Sequence, residues 1–426
     1  MLSEIETRLL ESITFENWLG LTRELVVAGQ PDAENPLDPD IKSGSEETIA
    51  RCVGEKLSEF GLSVNFHAKQ PGRPNVIAEF IGNGEGPTVI INDHLDTYPA
   101  GDPAKWSATG GNPYNPTLTG HKLYSRGTSD TRGNLACTLL SIRALKEIST
   151  DIKGTLKCVY TVDEEKHGPN GAIYLIDELG LTADYEITCE PTGWTRTTED
   201  WGMGIAIAHS GNFLVEIETI GVQSHLWRPD TGVNPITLML ELLRAIEKMT
   251  FSHMPSNLYG GTKPSACLLR ISGGLPKELQ FTPEKCQAIF GVVGIVPGMT
   301  AETIIHDITN VIESIAGSGT RGTVSLRQLP NSLFVAATDE LDTTSVLVST
   351  VAEAYQDVLE KKPIYYRKNA YCDTIRFSHS GIPSITFGPG EDGWPPMNEY
   401  IDISKALPAA RILALTLFRL LNTKTK

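Results

Sequence analysis

Cysteine is sparse and unpaired in this chain. Seven are scattered over 426 residues, at positions 52, 137, 158, 189, 267, 286 and 372, with no CxxC among them. That excludes a structural zinc knuckle. An odd, dispersed set, partly inside apolar runs such as Leu156-Lys157-Cys158-Val159-Tyr160, reads as buried thiols in a reducing, cytoplasmic setting. No apolar stretch approaches the ~20 residues needed to span a bilayer. The first residues, Met1-Leu2-Ser3-Glu4-Ile5-Glu6, lack the basic and apolar regions of a secretory signal. Basic residues are outnumbered, 36 against 52 acidic, for a net charge of −16. That balance argues against nucleic acid or an anionic membrane as partner, and an acidic substrate would need local basic residues.

What remains is an ordinary globular composition, 40% hydrophobic and 21% charged. The length exceeds what one core usually supports, so two domains are expected. The first ~30 residues have helical periodicity. Ser43-Gly44-Ser45-Glu46 resembles a capping box opening a helix to about Phe60. Strand-like runs (75–80, 88–92, 155–162, 183–188) then alternate with helical ones (134–148, 170–179), the mark of an α/β layered sheet. From about Ser210 the texture changes. Strands at 213–220, 267–271, 288–293 and 322–327 accompany helices at 235–249 and 300–316, which suggests a smaller inserted α+β domain. Helix 343–359, strand 384–387 and a final helix 403–421 complete the first domain. The expected division is 1–208 and 329–426 for the main domain and 209–328 for the insert.

Ligands of such sheets bind at the carboxyl ends of strands, and acidic motifs fall there. They are Asp93-His94-Leu95-Asp96, the turn Arg126-Gly127-Thr128-Ser129-Asp130, Asp163-Glu164-Glu165 and Cys189-Glu190-Pro191. One imidazole with several carboxylates suits zinc, manganese or cobalt. Asp96, two residues from His94, can orient the imidazole. Of the adjacent pair Glu164 and Glu165, one can bind metal while the other handles a proton. Any one of these motifs alone would pass for a solvated turn; their joint order is the signal.

That order resembles the metallopeptidase family of glutamate carboxypeptidase, succinyl-diaminopimelate desuccinylase and the aminoacylases. The family's pattern is His-x-Asp, Gly-Arg-Gly-x-x-Asp-x-Lys-Gly, Asp-Glu-Glu, then Glu-Pro-Thr. In the insert, His225 followed by Pro229, Gly232 and Asn234 fits its His-x-x-x-Pro-x-x-Gly-x-Asn. The resemblance implies a zinc-aminopeptidase-like three-layer α/β catalytic domain with an inserted α+β dimerisation domain. It implies His94, Asp130 and Glu190 as ligands of one divalent metal, with Glu165 on a second that Asp130 bridges. Glu164 would be the general base, Asp96 the partner of His94, and His225 an oxyanion donor reaching the other subunit of a homodimer.

Two departures stand out. The family's last histidine ligand is Pro395 here, so one tight ion is expected (manganese or zinc, with cobalt a further fit), and a second weak or absent. His379 or Asp392 could take that histidine's place. The arginine that clamps a substrate carboxylate is Gly294, leaving Arg228 and Arg376 as candidate clamps. Trp394 and other aromatics (Trp106, Trp201, Trp227, Tyr371) adjoin the motifs and would suit a flat substrate. An unusual branch that the chain resembles on these points is 5-nitroanthranilic acid aminohydrolase. The expectation is therefore metal-assisted hydrolysis of a carbon–nitrogen bond, with an aromatic amine as the specific substrate. The alternatives are a peptidase or N-acyl-amino-acid deacylase and, outside enzymes, a binding protein that retains only the fold.

Overall fold

The computed structural model describes residues 2–36, 42–148, 152–193, 202–256, 258, 263–274, 280–317, 322–330, 332–391 and 397–424. In chain order the first elements are α1 (Glu4–Glu11), α2 (Phe15–Ala28), α3 (Glu47–Glu59), β1 (Ser63–Ala68), β2 (Pro74–Ile81) and β3 (Thr88–His94). Next come β4 (Thr117–Thr119), β5 (Lys122–Tyr124), α4 (Gly133–Glu147), β6 (Thr155–Thr161), α5 (Ala172–Asp177), β7 (Tyr185–Thr188) and β8 (Ile205–His209). The middle of the chain gives β9 (Gly211–Ile220), α6 (Pro235–Ile246), β10 (Ser265–Gly273), β11 (Lys285–Ile295), α7 (Ala301–Ala316) and β12 (Thr323–Gln328). The last elements are α8 (Val346–Leu359), β13 (Tyr365–Lys368), α9 (Thr374–His379), β14 (Ser384–Thr386), β15 (Tyr400–Asp402) and α10 (Ile403–Leu421). Two compact units result: Met1–Ile207 with Glu340–Tyr366 and Cys372–Lys426, and Ala208–Asp339 with Arg367–Tyr371.

The first unit is built on a sheet of order β1-β2-β6-β3-β7-β14-β8-β13. β3 lies in its middle, parallel to β6 and β7, and β14 runs parallel to β7. From Val89 to His94 every residue of β3 is buried, as a parallel strand covered on both faces requires. α4 is buried almost all round, and its Ser141 hydroxyl donates to the Ala410 carbonyl of α10 at 2.9 Å. Among the described residues no helix is long and apolar enough to cross a membrane.

The second unit is an antiparallel sheet of order β10-β11-β9-β12 with α6 and α7. β9 alternates buried and half-buried positions, the period-2 pattern of a sheet with one covered face. Phe213, Val215 and Ile217 from it pack with Leu238, Met239 and Leu242 of α6 and Ile304 and Ile308 of α7.

Local details depart from the sequence reading. The capping box at 43–46 does not form: Glu46 occupies the cap of α3 with no side-chain cap bond. Its carboxylate is held instead by Arg73, and the Ser45 hydroxyl donates to the Gly72 carbonyl at 2.7 Å. α5 starts at Ala172 rather than 170: Gly171 caps it in a non-helical backbone state (φ −104°, ψ −116°), against the Val162 carbonyl where no side chain fits. β1 and β13 were not foreseen, nor were β4, β5, β8, β15 and α9. β1 and β13 are edge strands; Ser63-Val64-Asn65-Phe66-His67-Ala68 does alternate polar with apolar residues, a signal that the sequence reading passed over.

Candidate metal centre

Three parallel strands deliver the cluster. β3 ends at His94, β6 ends three residues before Glu164, and β7 ends two residues before Glu190. Asp130 arrives separately, in the turn Thr128–Arg132 between β5 and α4. Gly127 opens that turn with φ of 81°, a backbone state that any Cβ would strain, and here a Cβ would also crowd Arg132 and Thr97.

The distances define one site. His94 Nε2 stands 2.9 Å from Asp130 Oδ1, 3.8 Å from Glu190 Oε1 and 4.0 Å from Glu164 Oε2. His94, Glu164 and Glu190 each offer an atom within 4.8 Å of the others'. Among the described residues this is the one such group of three or more metal-ligating side chains. Asp130 is the least buried member, its side chain 21% exposed.

Asp96 sits behind the imidazole, Oδ1 at 3.3 Å from His94 Nδ1. It also accepts from the backbone N–H groups of Glu164 and Glu165, each at 3.1 Å, and so ties both motifs together. Asn35 bridges Asp96 and Asp163 at 2.8 and 2.9 Å, and Arg73 reaches Asp163 at 2.8 Å and also holds Glu46. This buried chain lies outside the sequence reading. Its members are up to 128 residues apart, and only the Asp-Glu-Glu motif hinted at Asp163.

The electrostatics suit a cation. Burial raises Glu164 well above the carboxylate range, with Glu190 adding to it; burial and then Asp130 do the same to Glu165. Burial alone would lower His94, but Glu164, Asp130 and Asp96 hold it well above its usual value. Burial would likewise raise Asp96, yet hydrogen bonding and charge from His94, then Arg73, hold it down at about 2. Glu164 Oε1 and Glu165 Oε1 are buried with no hydrogen-bond partner among the described residues. Carboxylate oxygens so placed cost several kcal/mol in order of magnitude unless a cation meets them. The donor set of imidazole and carboxylates therefore fits a divalent metal.

The other expected residues are dispersed. His225 lies in the second unit, half-buried, between the rings of Trp227 and Phe281 at 5.7 and 5.2 Å. Its Nδ1 accepts from the Trp227 N–H at 3.3 Å, which leaves Nε2 as the proton-bearing nitrogen. Arg228 is exposed and paired with Asp230 at 2.9 Å. Arg376, on α9, donates to the His167 carbonyl at 3.2 Å. His379 ends α9 as an exposed residue. Asp392, Trp394, Pro395 and Trp201 lie outside the described residues. Trp106 is wholly buried, its N–H on the Ala100 carbonyl at 2.8 Å, so it packs and cannot face a substrate.

Comparison with known proteins agrees with this geometry. Residues 90–419 match the model of peptidase family M20/M25/M40. A succinyl-diaminopimelate desuccinylase of Methylorubrum populi is 28% identical over 348 residues, covering 79% of this chain and 84% of the relative. Human carnosine dipeptidase 1 shares the fold with a TM-score of 0.75 at 14% identity, over 99% of this chain and 100% of its own. A Bacillus subtilis protein described as a dinuclear metal binding peptidase of the M20 family gives a TM-score of 0.64 at 15% identity, over 96% and 99%. With the α/β unit, the α+β unit and the acidic cluster in place, the chain belongs to peptidase family M20/M25/M40 and is a metal-dependent hydrolase of carbon–nitrogen bonds.

Proposed function

We propose that the protein hydrolyses an amide bond in a peptide or an N-acyl amino acid. The observation that carries this reading is the convergence of Glu164 on the His94–Asp130–Glu190 cluster, within 4.0 Å of the imidazole. His94, Asp130 and Glu190 would hold a divalent cation, with Glu165 facing a second position. When bound, such an ion supplies Lewis acidity to the carbonyl and acidifies the attacking water.

The protein's own groups do the rest. Glu164, buried and adjacent, takes the water's proton and returns it to the leaving amine. Asp96 fixes the imidazole so that Nε2 faces the cluster. His225, with Nε2 carrying its proton, donates to the developing oxyanion. In this reading it acts across a homodimer formed through the insert at 209–328. One tight ion is expected, because Pro395 stands where the family pattern has a ligand.

A second reading is hydrolytic deamination of an aromatic amine such as 5-nitroanthranilate. Gly294 favours it: at this position of β11 (φ 70°) no side chain can clamp a carboxylate. One assay separates the two. The metal-loaded protein is offered dipeptides, N-acyl amino acids including N-succinyl-diaminopimelate, and 5-nitroanthranilate. Free amino acid from the first two classes supports amide hydrolysis. Ammonia from the nitroaromatic alone would overturn it in favour of the second reading.

A further inference from the structure

Glu399 is fully buried, and its carboxylate gathers one loop around itself. Oε2 accepts from Arg126 Nη1 at 2.8 Å and from the Gly127 N–H at 2.7 Å. Oε1 accepts from the Ser129 N–H at 2.7 Å and the Asp130 N–H at 3.0 Å. The Glu399 carbonyl also accepts from the Ser125 N–H at 3.1 Å. Backbone N–H groups turned inward by a left-handed residue form an anion-binding concavity, and here Gly127 supplies that turn. The anion inside is a side chain 269 residues away in sequence from Asp130. Its neighbour Asn398 is anchored as well: Oδ1 accepts from the Ala108 N–H at 2.9 Å, and Nδ2 donates to the Lys105 carbonyl at 3.0 Å.

None of these bonds involves a ligand side chain, yet one runs to the backbone of Asp130. The loop that presents Asp130 to His94 at 2.9 Å is thus held from behind by a fixed charge. Without it, the loop's N–H groups would be buried and unpaired or would turn away. Ordering them again on ion binding would subtract from affinity. We propose that Glu399 is a positioning residue of the metal centre, which sets ion affinity by fixing the Gly127–Asp130 backbone. The proposal rests on reading Asp130 as a metal ligand.

The test is ion affinity, measured by competition with a chromophoric chelator using Mn2+ and Zn2+. Glu399→Gln, Arg126→Gln, Asp130→Asn and the wild-type protein are compared. Glutamine places an amide NH2 against donors, so Glu399→Gln is expected to weaken binding about 10–100-fold, the usual range for groups behind a ligand. Arg126→Gln breaks the same ion pair but leaves the three N–H bonds in place. It should lower stability and keep an affinity close to wild type. An unshifted Glu399→Gln, or an equal shift in Arg126→Gln, would overturn the proposal. Should Glu399→Gln fail to fold, Glu399→Asp keeps the charge but withdraws it by one methylene. Weakened binding in it supports the proposal, and wild-type affinity refutes it. If Asp130→Asn binds as tightly as wild type, the ligand reading of Asp130 falls, and this proposal with it. A tight wild type with an unshifted Glu399→Gln removes this proposal alone.

Discussion

Glu164 faces the imidazole with one oxygen, and the other, buried, has no hydrogen-bond partner among the described residues. Its amide analogue would keep the shape and lose the proton-transfer capacity. Glu164→Gln should therefore lower kcat by about 10²–10⁴-fold, the range for loss of a general base. Ion content per chain, measured by elemental mass spectrometry, should stay near wild type. A retained kcat would remove Glu164 from the proton transfer. The same residues predict a pH effect. Glu164, Glu165 and His94 all have raised pKa values in the free site, so they keep their protons to higher pH than the free side chains do, and ligation must displace them. Affinity should rise with pH, and ion uptake should release protons. A titration in weak buffer with a pH indicator reads this directly; no acidification on ion addition would contradict it. The residues that meet around His94 were legible in the sequence because each sits in a short local motif. Asn35, Arg73 and Glu46 were not, because each is an ordinary polar residue until the fold buries it against Asp96 and Asp163.

At the scale of elements, β3 bears the largest load. It is central, parallel to both neighbours, and ends at His94. Ile91 is wholly buried, so Ile91→Ala should cost about 2–5 kcal/mol by lost burial and the cavity left behind. Urea unfolding of the metal-free protein measures this. A loss below ~1 kcal/mol would mean that the strand repacks. Most strands and helices were visible from periodicity, since the alternation in β9 and the apolar run of β3 are what covered sheets demand. The misses have physical causes. β1 pairs through its backbone at an edge, and its short alternation carries only Val64, Phe66 and Ala68, none of them buried. The expected cap of α3 failed because Glu46 is held by Arg73 in the chain of charges that leads to Asp163. Local propensity proposed a cap, and tertiary pairing overrode it.

At the scale of the molecule, the open question is whether one chain makes a complete site. Glu164 belongs to the first compact unit and His225 to the second, on a loop that carries a Trp227 side chain 80% exposed. If His225 acts across a homodimer, two defects in different chains can complement each other. Glu164→Gln and His225→Ala would each be nearly inactive alone. Mixed, denatured together and refolded, they form heterodimers in which one site carries both defects and the other carries none. Random pairing makes about half of the dimers mixed, with one of two sites intact, so recovery of about a quarter of wild-type activity is expected. Recovery should follow the fraction of heterodimer separated by differential tagging. If His225 acts within its own chain, each site holds one defect whatever the pairing, and mixing recovers nothing. The outcome depends only on where the histidine acts, because each chain is otherwise complete.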